Sequence, residues 1–216
     1  MTGVSDRQEE KGFVLYGDSR SGNCWKPALL LQLTERPWQW REIDVLDGTT
    51  RSPAFRAMNP NGKVPLLQLP DGKLLPESNA MLLYLAEDTE LLPTDRWQRA
   101  QVHQWLFWEQ YSHEPYIAVA RFLRHFDHGM PLDPVRMAMV DQRGQQALDL
   151  MELTLSRQQF FAADRFTVAD IALYAYTHVC GDGGFDLGRY PAIRDWLARV
   201  EAQPRHFDLE GLQALI

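Results

Sequence analysis

Cysteine is scarce in this chain. Cys24 and Cys180 are its only two among 216 residues, and they lie far apart. That excludes the disulfide framework of a small secreted domain and fits a reducing, cytosolic setting. Basic charge is also in deficit: 22 Lys and Arg face 29 Asp and Glu, for a net charge of −7. With no run of Lys or Arg, the chain lacks the basic face of a nucleic-acid binder. No apolar run reaches membrane-spanning length. The first eleven residues have no apolar segment of the kind a secretory signal needs, and they read as a frayed tail. No glycine-rich phosphate loop is present. The six histidines follow no metal-ligand spacing, and His125 and His128 read as the end of a helix. Neither a metal, a nucleic acid nor a membrane is therefore expected.

What the chain does have is concentrated between Asn61 and Ala80. Val64-Pro65-Leu66-Leu67-Gln68-Leu69 reads as a strand, Asp71-Gly72 as a hairpin turn, Leu74-Leu75 as a second strand, and Ser78 as the cap of a helix. Pro65 stands at the very start of its strand, where it costs no ladder bond, and Val64-Pro65 is a candidate cis bond. A cis bend would turn the Val64 backbone N–H and C=O outward to pair with an extended peptide. A helix N-terminus at Ser78 attracts a carboxylate, and Glu77 beside it can meet an ammonium. These groups together suit a small zwitterionic peptide.

Around this segment the pattern alternates strand and helix. Phe13–Tyr16 is a strand. A loop of small and polar residues runs from Gly17 to Gly22, and Asn23 to Glu35 follow as a helix with Pro27 near its first turn. Trp38 to Val45 alternate as a strand, and Ser52 to Met58 form a short helix ended by Asn59-Pro60. With the hairpin and the helix from Ser78 to Asp88, the order β-α-β-α-β-β-α is complete. From Thr94 onward the chain reads as all helical. One apolar stripe runs through Val102, Trp105, Leu106 and Ile117, and Pro115 should kink it. Further helices span Asp133 to Gln159, Thr167 to Cys180 and Pro191 to Ala202. Thr167-Val168-Ala169-Asp170 reads as a capping-box start.

This arrangement resembles the glutathione transferases over about residues 12 to 205. The motifs that carry the resemblance are Val64-Pro65 before the hairpin, Glu77-Ser78 after it, and Thr167-Val168-Ala169-Asp170 in the helical half. The resemblance implies an α/β plus all-α fold, with an N-terminal thioredoxin-like domain and a C-terminal helical bundle domain. The implied division is a tail over 1–11, a glutathione-binding domain over 12–88, a linker over 89–93 and a substrate-binding domain over 94–216. It implies a cytoplasmic homodimer that takes glutathione as co-substrate and a small hydrophobic electrophile or peroxide as partner. The expected activity is glutathione conjugation, with peroxide or disulfide reduction beside it. The alternatives are a non-catalytic binding or regulatory module and a zeta-like isomerase.

The same resemblance assigns site residues. Against serine-type members of the zeta and phi classes, Ser21 falls on the catalytic hydroxyl, with Ser19 as its rival. Asn23 falls where members similar to the nu class place an asparagine near the sulfur, although it also reads as an N-cap. Trp25-Lys26 resembles the Trp-Arg that follows the zeta motif. Cys24 lies beyond the redox position of the beta class and reads as a buried, unreactive thiol. Val64, Glu77 and Ser78 are expected to hold glutathione. Lys63, and as a second candidate Arg51, would meet its glycine carboxylate. The phi-class histidine of that loop is replaced by Thr50. Tyr111, Tyr116 and Arg121, around the predicted kink, are expected to line the pocket for the second substrate. Thr167 and Asp170 are expected to be structural.

Overall fold

A computed structural model describes residues 12–126, 129 and 131–216. The proposed tail and His128 lie outside the described residues. The first half is a four-stranded sheet in the order β2-β1-β3-β4, formed by β1 (Phe13–Gly17), β2 (Trp38–Glu42), β3 (Leu66–Gln68) and β4 (Leu74–Pro76). β1 runs parallel to β2 and antiparallel to β3, with Leu15 opposite Leu67. β3 and β4 form the hairpin. Its turn uses Gly72 at φ +87°, a conformation that glycine adopts without steric cost. The strand read as extending to Val45 ends at Glu42.

The helices of this half are α1 (Gly22–Leu33), α2 (Pro53–Met58) and α3 (Ser78–Ala86). α1 is buried on nearly every side, because it packs against the sheet, α3 and the helical half at once. Its sequence is accordingly apolar over most of its circumference, with Asn23, Lys26 and Gln32 as the exceptions. Pro27 falls in the second turn of α1, later than the sequence suggests, and so supplies no N–H for the Asn23 carbonyl. Ser78 is the first helical residue of α3 rather than its cap. The cap position is Glu77, at φ +71° and ψ +111°.

The second half contains α4 (Arg96–Trp108), α5 (Glu114–His125), α6 (Pro134–Leu155), α7 (Val168–Thr177), α8 (Pro191–Glu201) and α9 (Leu209–Leu215). Between α4 and α5 the backbone widens into a π turn over Glu109–His113. Pro115 follows at the second position of α5, so the expected kink takes this form, with a wider turn where a donor is missing. Thr167 and Asp170 make the reciprocal capping box at the start of α7. Asp170, fully buried, also accepts from Phe161 N and Trp196 Nε1. Burial pushes its carboxyl up to about 6 against those donors. The short α9 has no counterpart in the sequence reading. Leu209 and Leu212 seat it against α1, and Trp25 Nε1 donates to Phe207 O just before it, at 2.8 Å. Among the described residues, no helix is long and apolar enough to cross a membrane.

Candidate active site

The loop between β1 and α1 is held by a buried carboxylate. Asp18 is almost fully buried and accepts from Arg20 Nε and Nη2, from Arg20 N and from Val45 N. Burial alone would raise its pKa, but Arg20 and these backbone donors together hold it below its usual value. Ser19 is turned away: its N–H and hydroxyl both donate to Glu42. Ser21 is the N-cap of α1 by backbone conformation, yet its side chain makes no capping bond. The hydroxyl is therefore not spent on the helix backbone; it lies 3.4 Å from Tyr176 Oη at the positive end of the helix. Cys24 lies one turn further in, fully buried, and its thiol is pushed up to about 12 by burial.

Ser21 opens onto a cleft of about 260 Å³ between the two halves of the chain. Lys63 and Val64 form one wall, and Arg121 with Phe122 and Phe126 of the α5 end forms the other. The Val64-Pro65 bond is cis, as its sequence position suggested. Arg51 is exposed and does not line this cleft, whereas its neighbour Thr50 does. Arg121 donates to Arg20 O at 2.8 Å and to Asp182 Oδ2 at 3.0 Å, so the helical half grips the Ser21 loop directly. Both Arg20 and Arg121 stack over the Phe126 ring.

Glu77 and Ser78 stand outside the lining of this cleft, but Ser78 is joined to the same loop. Its hydroxyl donates to Asn23 Oδ1 at 3.3 Å. Asn23 is thus turned toward α3 and the helical half instead of acting as a cap. It receives Lys26 Nζ at 2.9 Å, and its own amide donates to Glu114 Oε1 at 3.3 Å. Burial raises the Glu114 carboxyl above its ordinary value, opposed by the nearby Lys26 charge. Lys26 and Glu109 are both fully buried and pair at 2.9 Å, and Asn79 and Gln110 donate to the second Glu109 oxygen. Sequence reasoning missed this interdomain network. A lysine inside the otherwise apolar stretch Cys24 to Leu31 was the one signal for it.

Tyr111 and Tyr116 do not join the site. They line a separate hollow with Arg143 and Leu150 of α6. Of the three residues expected to line the second-substrate pocket, the cleft contains Arg121 alone. Phe122 and Phe126 supply its apolar wall instead. Tyr176 of α7 also reaches the Ser21 loop, a residue hidden in the sequence by the apolar run around it.

Comparison with known proteins bears on the family and the fold. Residues 20–88 match the family model for the glutathione S-transferase N-terminal domain, and residues 138–204 match that for the C-terminal domain. The crystal structure of a glutathione S-transferase from Pseudomonas fluorescens Pf-5 is similar at a TM-score of 0.88 and 50% identity, covering 91% of this chain and 98% of that one. Glutathione S-transferase 2 of Anopheles gambiae is 33% identical over 74% of this chain and 76% of its own length. Disulfide-bond oxidoreductase YfcG of Escherichia coli K12 is 29% identical over 84% of this chain and 87% of its own.

Proposed function

Given that this chain belongs to the glutathione S-transferase family, we propose that it is an enzyme that binds glutathione across Val64 and activates its thiol with the Ser21 hydroxyl. The observation that carries this reading is the Ser21 side chain at the α1 N-terminus, which makes no capping bond and stands on the cleft wall shared with Val64. The free thiol has a pKa of about 8.5, so the chemical task is to favour thiolate near neutral pH. A hydroxyl donor and a helix N-terminus do this by stabilising the anion, with no need to ionise the serine. The γ-glutamyl end lies toward Glu77 and the α3 N-terminus, and Lys63 meets the glycine carboxylate. The thiolate then forms a bond to an electrophilic carbon and expels the leaving group. The apolar wall of Phe122 and Phe126 suits a small hydrophobic electrophile.

The likeness to a named disulfide-bond oxidoreductase favours a second reaction of the same thiolate. On a disulfide it forms a new S–S bond and releases the other half as a thiol. Cys24 takes no part in that reading, since burial keeps its thiol protonated. The proposed setting is the cytoplasm.

Turnover of chlorodinitrobenzene, cumene hydroperoxide and a mixed disulfide tests the proposal. Ser21→Ala is expected to lower kcat by one to two orders of magnitude, roughly 1.4–2.8 kcal/mol of barrier, with glutathione affinity little changed. Loss of activity in Ser19→Ala with full activity in Ser21→Ala would overturn the assignment.

A further inference from the structure

We propose that Tyr176 is a positioning residue, whose phenol donates to Ser21 Oγ and thereby turns the serine's own proton into the cleft. The inference rests on the reading of Ser21 as the group that activates the thiol. Tyr176 belongs to α7 in the helical half, yet its hydroxyl lies beneath the Ser21 loop. Gly22 makes this approach possible: a Cβ there would stand 2.5 Å from Ala175 O and 3.0 Å from the Tyr176 ring.

The direction of the bond follows from counting protons. Tyr176 Oη accepts the Asn23 N–H at 3.2 Å. Its single proton then needs an acceptor. Among the described residues the other hydrogen-bonding atom within its reach is Ser21 Oγ, at 3.4 Å. If Ser21 donated instead, the buried phenol proton would be left without a partner, the more costly arrangement. With Tyr176 donating, the Ser21 hydrogen is not spent on the phenol and can turn toward whatever occupies the cleft. At 3.4 Å the bond is long. A thiolate that accepts the Ser21 proton polarises the serine oxygen and strengthens the bond behind it, and catalytic hydrogen bonds commonly tighten once the ligand is bound.

Burial, with Glu114 and Cys24 nearby, raises the phenol's pKa, so Tyr176 stays a neutral donor across the working pH range. The surrounding titratable groups do not compete for its proton. Glu114 is bonded to Asn23, Asp18 to Arg20 and Val45, and the neutral Cys24 thiol is a hydrogen-bond partner of Ser21 and not of the phenol.

The test uses the full chain as wild type, Tyr176→Phe, Ser21→Ala and the double variant. The ultraviolet absorbance of the thiolate gives the pKa of bound glutathione, calorimetry gives its affinity, and chlorodinitrobenzene gives kcat. Tyr176→Phe should raise the bound thiol's pKa toward the free value and lower kcat about three- to tenfold, the worth of one hydrogen bond. Affinity should hold within about twofold, since the change acts on the thiol through Ser21. The double variant should be no worse than Ser21→Ala, because both changes remove one unit.

If Ser21→Ala raises the thiol pKa and Tyr176→Phe does not, the positioning role alone falls. If Ser21→Ala leaves the thiol pKa at its wild-type value, the reading of Ser21 falls and takes this role with it. A ring-fluorinated tyrosine at 176 guards against a folding defect. It keeps both bonds with a more acidic donor and should lower the bound thiol's pKa below wild type; no change or a rise would count against the proposal.

Discussion

The Lys26 side chain ends in a place with no access to water. Its ammonium is shared by Glu109, Asn23 and Asn79, so it joins α1, α3 and the π turn in one network. A buried pair of this kind adds little net stability over an apolar substitute, but breaking it leaves one uncompensated charge. Lys26→Met should therefore destabilise the chain by about 3–5 kcal/mol, which in a chain of this length lowers the melting temperature by roughly 10 °C. Adding Glu109→Leu should restore much of the loss. Thermal melts followed by circular dichroism check this, and a Lys26→Met protein that melts with wild type would show that the pair is not isolated from water. Asn23 takes its orientation from the same network. Its catalytic reading thus becomes indirect, since its side chain serves Ser78, Lys26 and Glu114. Glu77, at φ +71°, is a non-glycine residue in a conformation that surrounding structure must impose, and such strain concentrates at functional positions.

At the scale of elements, the site depends on how closely α1 approaches α7. Gly22 sits at that contact with backbone on the other side, so an added methyl cannot be absorbed by a side-chain rotation. Gly22→Ala should push the Ser21 loop away from Tyr176, costing about 1–3 kcal/mol of stability and more activity than the stability loss accounts for. Turnover measured well below the melting temperature separates the two effects; wild-type kcat in a folded Gly22→Ala protein would mean that the close approach is unimportant to the chemistry. Most elements were legible because their signals are local. Asp71-Gly72 marks a hairpin whatever surrounds it, and Thr167 with Asp170 caps a helix through bonds spanning three residues. The π turn and α9 were not. The first depends on how Pro115 is accommodated by neighbours, and the second is a seven-residue helix whose stability comes from docking on α1.

For the whole molecule, three large side chains on α3 and α4 remain in water: Tyr84, Trp97 and Phe107, each at least half exposed. Side chains of this size are candidates for burial between subunits. We expect a homodimer that covers them in an isologous contact, closed by its own two-fold symmetry. Light scattering should give about twice the 25.0 kDa chain mass. A stable, fully active monomer at micromolar concentration would overturn this expectation.

The amino-acid sequence by itself determined the alternation of strands and helices, the cis candidate at Val64-Pro65, the cap of α7 and the family likeness. Each is written in neighbouring residues, because backbone geometry, turn chemistry and capping act over a few positions. Tertiary structure alone decided which side chains face the cleft. It set Arg121 against the Ser21 loop and placed Tyr111 and Tyr116 in another hollow, although Tyr116 and Arg121 belong to the same helix. It also brought Tyr176 under a loop more than 150 residues earlier, and buried Lys26 against Glu109. Contacts between residues so distant in sequence depend on how the helices of one half pack against the other, and no local pattern encodes that packing.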